Sequence, residues 1–167
     1  MANEEAKYDL VNSNDVYEIR KYSDRLAIQV ASTCGNNSFR KLFNYISGNN
    51  EKNKKIEMTV PVTVTEKSES RIMRFYLPSE FDKNNTPNPT SSDVEVITIE
   101  GGYYAVIRYS GRASENNFIK HKNILEDELS KDNIAIKSPA IKATYNSPFT
   151  LPLMRRNEAM FKVEYKD

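Results

Sequence analysis

The feature that most constrains this chain is an order of elements that occurs twice, on either side of one long connection. Pro78 to Asp93 carries Pro87, Pro89 and a run of Asn, Ser and Thr residues, a composition suited to turns rather than to a helix or strand. Ahead of it, Tyr17 to Tyr22 and Leu26 to Ser32 read as short strands separated by Ser23-Asp24. Leu26, Ile28 and Val30 alternate with Ala27, Gln29 and Ala31, the period of a strand with one buried face. Ser38 is placed to cap a helix in which Phe39, Leu42, Phe43 and Ile46 recur at helical spacing, and Gly48 suits its exit. Asn49 to Lys55 is a polar loop. Met58 to Glu66 and Arg71 to Leu77 then form a strand pair, with Val60, Val62 and Val64 on one face and Pro61 interrupting the ladder at an edge or bulge.

After the connection the order returns. Val94 to Glu100 and Tyr103 to Tyr109 flank Gly101-Gly102, a hairpin signal. Ser114 caps a helix marked by Phe118, His121, Lys122, Leu125 and Leu129. Ile141 to Tyr145 and Ala159 to Tyr165 close the second pair. The expected fold is therefore α+β: two ββαββ repeats forming a distorted antiparallel β-barrel with two flanking helices. Closing the sheet removes exposed strand edges, and helices outside it leave grooves suited to a ligand. Residues 1–16 are expected to be a flexible N-terminal segment, and 17–167 a single domain.

Composition narrows the functional classes. The 167 residues suffice for one substantial core, with 38% hydrophobic and 28% charged residues. A net charge of +1 lacks the basic excess of a nucleic-acid binder. No stretch approaches the roughly 20 apolar residues of a membrane span. The single cysteine, Cys34, excludes an internal disulfide framework and, with no secretory segment, favours a cytoplasmic protein. There is no phosphate-binding glycine loop, no zinc-ligand spacing, and only one histidine, without a nucleophile motif beside it. The expectation is a non-enzymatic protein.

Several ordered motifs go further. Tyr17-Glu18-Ile19-Arg20-Lys21-Tyr22, Lys55-Ile56-Glu57-Met58-Thr59-Val60-Pro61-Val62, Phe75-Tyr76-Leu77-Pro78, Pro87 to Pro89, and Tyr145-Asn146-Ser147-Pro148-Phe149 followed by Arg155-Arg156-Asn157-Glu158 together resemble the SOUL/haem-binding protein family. The likeness runs from about Tyr17 to Tyr165. It implies a barrel with two helices, and an apolar cleft between the first helix and the loop before the last strand that takes haem or a related tetrapyrrole.

Haem is a flat apolar disc with two carboxylates, so its holder needs an apolar slot and a few cations. Candidate cofactor-binding residues are Phe39, Arg40, Leu42, Phe43 and Ile46 from the first helix, and Phe149, Leu151, Leu153, Met154 and Arg155 from the later loop, with Lys41, Pro148 and Pro152 alongside. Arginine's planar fork suits a carboxylate. The plainer reading of Phe39, Leu42, Phe43 and Ile46 is core packing, and one edge of the stripe can pack while another faces a ligand. The loop from Phe149 to Met154 reads either as core cover or as a contact surface.

His121, Met58, Met154 and Cys34 are the possible iron ligands. His121 lies on the other helix, methionines more often fill cores, and Cys34 has no helper base, so no obligatory protein axial ligand is expected. Burying on the order of 300 Å² of macrocycle gives roughly 7 kcal/mol, near the roughly 8 kcal/mol of micromolar binding, before immobilisation costs and propionate pairing. That suits a carrier or buffer. The alternative is a protein-interaction or effector-sensing module without physiological haem, because duplicated ββαββ units also resemble effector-binding domains of bacterial regulators; any protein partner is unspecified. In Arg155-Arg156-Asn157-Glu158, internal ion pairs between Arg156 and Glu158 would hold the turn, with Asn157 in a turn conformation.

Overall fold

The computed structural model describes residues 3–32, 37–147 and 149–167, so Cys34 and Pro148 lie outside the described residues. The elements run β1 (Glu4–Glu5), β2 (Tyr8–Ser13), β3 (Glu18–Tyr22), β4 (Arg25–Ser32), α1 (Ser38–Ile46), β5 (Thr59–Val60), β6 (Val62–Lys67), β7 (Ser70–Tyr76), β8 (Glu95–Ile99), β9 (Gly102–Tyr109), α2 (Glu115–Lys131), β10 (Ile141–Thr144), a 3-10 turn at Pro152–Met154, and β11 (Asn157–Lys162). The protein is α+β. β1 and β2 occupy the stretch expected from sequence to be a flexible lead-in; β1 pairs parallel with β5, and β2 pairs antiparallel with β3.

Two compact units divide the chain: Met1–Ala6 with Asp24–Glu100, and Lys7–Ser23 with Gly101–Asp167. In the first, the antiparallel order is β6-β7-β4-β8; in the second it is β2-β3-β9-β11-β10. The expected pairing across Ser23-Asp24 and Gly101-Gly102 is not what forms. β3 pairs with β2 and β9, while β4 pairs with β7 and β8. Each unit thus joins the second strand, helix and last two strands of one repeat to the first strand of the other. The reason lies at Gly102. It is already the first residue of β9, opposite Tyr22, with φ +136° rather than the tight left-handed turn a two-residue hairpin requires. Alternating apolar strands accept any antiparallel neighbour, so adjacency in sequence does not select the partner.

In the first unit, Leu42, Tyr45 and Ile46 of α1 pack on Ile28, Val30 and Phe75, with Ile56, Leu77, Phe81 and Val94 around them. Asn37, not Ser38, is the residue before the first turn, and its side chain makes no capping hydrogen bond. Gly48 follows the last turn at φ +120°, where a side chain would be strained. In the second unit, Ser114 caps α2 by accepting from the Asn117 amide at 3.2 Å. Phe118, Leu125 and Leu129 of α2 then cover the alternate residues Tyr17 and Ile19 of the β3 region, Ala105, Ile107 and Tyr109 of β9, and Ala159 and Phe161 of β11. The opposite face of that sheet carries Val106, Ala143 and Met160 with Tyr22, Tyr104 and Tyr145. Among the described residues, no helix is long and apolar enough to cross a membrane.

Candidate functional site

The helical stripe of α1 splits by burial. Leu42 is fully buried and Ile46 nearly so, both in the core of the first unit, where they offer no surface to a ligand. Phe39 and Phe43, four residues apart and therefore on one face, remain 46% and 49% exposed. Their rings are 6.1 Å apart and nearly parallel, and Phe39 meets Phe75 edge-on at 5.1 Å. Arg40 beside them is exposed, whereas Lys41 pairs with Asp93 at 3.0 Å. Two aromatic side chains held parallel with a cation alongside fit the chemistry of a flat apolar ring bearing carboxylates.

The second apolar group belongs to the second unit. Phe149, Leu151, Leu153 and Met154 are 94%, 70%, 88% and 73% exposed. Their backbone is nevertheless well tied. Ser147 Oγ accepts from the Phe149 amide at 3.2 Å, and the Ser147 carbonyl accepts from the Thr150 amide and from Arg155 Nη1. The Leu151 carbonyl accepts from the Met154 amide at 2.9 Å, and the Pro152 carbonyl accepts from the Gly111 amide at 2.8 Å. This segment is therefore a structured turn with its apolar side chains uncovered.

The possible iron ligands are dispersed. Met58 packs partly buried against the first core. His121 is half-buried, stacked on Tyr109 with ring centroids 4.1 Å apart, and its Nδ1 lies 2.8 Å from the Asn117 carbonyl. No cluster of three or more His, Cys, Asp or Glu residues is found among the described residues.

A buried charged group lies on the sheet face of the second unit that is turned away from α2, and only its Arg156–Glu158 part was expected from sequence. Arg20, 2% exposed, reaches Glu158, 0% exposed, through Nη1–Oε1 and Nη2–Oε2 contacts of 2.9 Å each. Arg20 Nε also donates to Glu18 at 2.8 Å, and Tyr145 Oη donates to Glu158 at 2.6 Å. Arg156 completes the expected ion pair with Glu158 at 3.1 Å while its guanidinium lies over the Tyr145 ring. Burial would raise the Glu158 pKa, but the hydrogen bonds and charge of Arg20 outweigh it and hold the carboxyl below its ordinary range. Burial, followed by the charge of Glu158, drives the Tyr145 phenol well above its usual value. Asn157 is not in a turn: it opens β11 opposite Tyr109 and its Nδ2 donates to the Gly111 carbonyl at 2.9 Å. The strand register explains why. It keeps Glu158 in the ladder opposite Arg108. The available signal for Arg20 was the alternation of Glu18, Arg20 and Tyr22 along one strand, which places them on one face.

A surface cavity of about 120 Å³ lies in the first unit beside Lys41, Asn44, Tyr45 and Thr90, room for a few waters rather than a macrocycle.

Residues 3–162 match the family model described as SOUL heme-binding protein, and the chain belongs to that family. It is similar to Heme-binding protein 2 of Mus musculus, with 34% identity over 163 residues that cover 85% of this chain and 75% of the relative. Among solved structures, the EcmrR C-terminal domain superposes with a TM-score of 0.65 at 11% identity, covering 94% of this chain and 98% of that one. A hydrolase from Listeria innocua superposes with a TM-score of 0.64 at 10% identity over 92% and 94% of the two chains. At such identities these two structures share the fold with this chain.

Proposed function

We propose that this protein binds haem or a related tetrapyrrole without catalysing a reaction, as a cytoplasmic carrier or buffer. Family membership supports the ligand class, and one structural observation carries the reading: the exposed, parallel pair Phe39 and Phe43, with Arg40 beside it, on a helix whose other face is fully committed to the core. Phe39 and Phe43 would contact the ring face, and Arg40 a propionate. Leu42 and Ile46 act behind them by fixing the helix. When bound, haem would supply a redox-active iron; the chain's own part is to hold the ring and neutralise its carboxylates, with no obligatory axial side chain.

The test is a haemin titration followed by Soret absorbance, on wild-type protein and on Phe43→Asp. A saturable stoichiometric band, weakened more than about tenfold by Phe43→Asp, is expected for loss of one aromatic contact and gain of a repelling charge. Unsaturable binding, or the same affinity in the variant, would reject the reading.

A further inference from the structure

The turn from Phe149 to Met154 presents an unusual combination. Four large apolar side chains are each at least 70% exposed, on a backbone that is not loose. Apolar groups scattered over a surface are ordinary, but four on one turn are not. Of the amides in the turn, those of Phe149, Thr150 and Met154 are bonded within the protein, and Pro152 has none to satisfy. A segment with few unmet backbone donors can leave water at low cost.

The stretch of sequence that carries this turn has side-chain charges of one sign. From Asn133 to Asn157 the chain carries Lys137, Lys142, Arg155 and Arg156 and no carboxylate, although its net charge is only +1. Lys137, Lys142 and Arg156 are paired with Glu164, Glu115 and Glu158. Arg155, held at the base of the turn by the Ser147 carbonyl, makes no ion pair with a carboxylate among the described residues. The Gly111 amide bonds the Pro152 carbonyl, which brings the exposed Arg112 to the same place. Apolar tip and basic collar together match the layering of an anionic bilayer, where acyl chains lie beneath a plane of phosphates.

We propose that this turn docks the protein peripherally on anionic membranes: Phe149, Leu151, Leu153 and Met154 enter the interfacial layer, and Arg155 and Arg112 meet the lipid phosphates. This inference is separate from tetrapyrrole binding and requires no ligand.

The experiment uses the full chain without haem and sucrose-loaded phosphatidylcholine vesicles with or without phosphatidylserine. Sedimentation with the phosphatidylserine vesicles is expected. The partition constant should fall by more than about tenfold for Leu153→Asp and by about fivefold for Arg112→Ala, the latter being the effect of one surface cation. The chain has no tryptophan, so Phe149→Trp provides a single reporter whose emission should shift to the blue on those vesicles alone. Unshifted emission with no excess sedimentation on phosphatidylserine overturns the proposal, as does equal binding by a Leu153→Asp variant with native circular dichroism. Self-association that Leu153→Asp abolishes, without vesicle binding, also overturns it and assigns the turn to a second copy. These outcomes leave the haemin titration of Phe43→Asp independent.

Discussion

Arg20 on β3 and Glu158 on β11 meet through two parallel 2.9 Å contacts, with side chains 2% and 0% exposed. The strands that carry them are not neighbours, for β9 lies between them in the ladder. By register Arg20 is opposite Tyr104 and Glu158 opposite Arg108, so the pair reaches diagonally across β9. Its geometry satisfies both charges, and Tyr145, Arg156 and Glu18 occupy further bonding positions around it.

Removing one partner leaves the other charge buried without its principal counterpart. Glu158→Ala is expected to destabilise the protein by about 3–5 kcal/mol in urea unfolding. The double change Arg20→Met with Glu158→Met should cost clearly less than the two single changes added together, since neither charge is then stranded. Additive losses in that cycle would show that the two side chains contribute independently.

Because the folded Glu158 carboxyl sits below its ordinary pKa, its contribution to stability is present above the unfolded value of about 4.3 and is lost as pH falls through the lower folded value. At the alkaline end, burial raises the Tyr22 phenol to about 12. Its contribution is complete below about 10 and is lost as pH rises toward about 12. Melting temperature measured against pH should fall more steeply below pH 4.3 for the wild type than for Glu158→Gln. Parallel acid limbs would contradict the assignment.

The two faces of α1 should respond differently to substitution. Leu42→Ala opens a cavity in a filled core and is expected to cost about 2–5 kcal/mol. Phe43→Ala removes a half-exposed ring whose partner Phe39 is itself exposed, and should cost less than about 1 kcal/mol. Comparable unfolding losses for the two variants would place Phe43 in the core and remove the aromatic surface on which the ligand reading rests.

Periodicity showed which side chains lie together within an element, but not which element answers them. Alternation at Leu26, Ile28 and Val30 and helical spacing at Leu42 and Ile46 gave the strands, the helix and its buried face. The split within the stripe was beyond reach, because Phe39 and Phe43 differ from Leu42 and Ile46 only in angular position, and the burial boundary depends on how α1 is seated. The exchange of first strands between units was also hidden: β3 and β8 have the same alternation whichever neighbour they take. Arg20 reads as a surface cation until the fold brings Glu158, 138 residues away, within hydrogen-bond reach of it. The apolar composition of the 149–154 turn, by contrast, was plain in sequence, and the structure adds its exposure and the bonds that hold it.

Asn50 gives a further test, in a loop that composition alone marks as merely polar. It is 2% exposed. Its Nδ2 donates to the Tyr45 carbonyl at 2.9 Å and the Lys54 carbonyl at 2.8 Å, and its Oδ1 accepts from the Lys52 and Lys54 amides at 3.2 and 3.0 Å. One side chain thus fastens the end of α1 to the loop that follows. Asn50→Ala would strand several of these backbone groups, with an expected loss of about 2–3 kcal/mol. Asn50→Asp keeps the acceptor but loses the amide donor and sets a carboxylate against two carbonyls, so it should do no better. Amide hydrogen exchange should quicken at Lys52 and Lys54 in both variants. Unchanged protection there, with native stability, would mean that the loop is held by its other contacts.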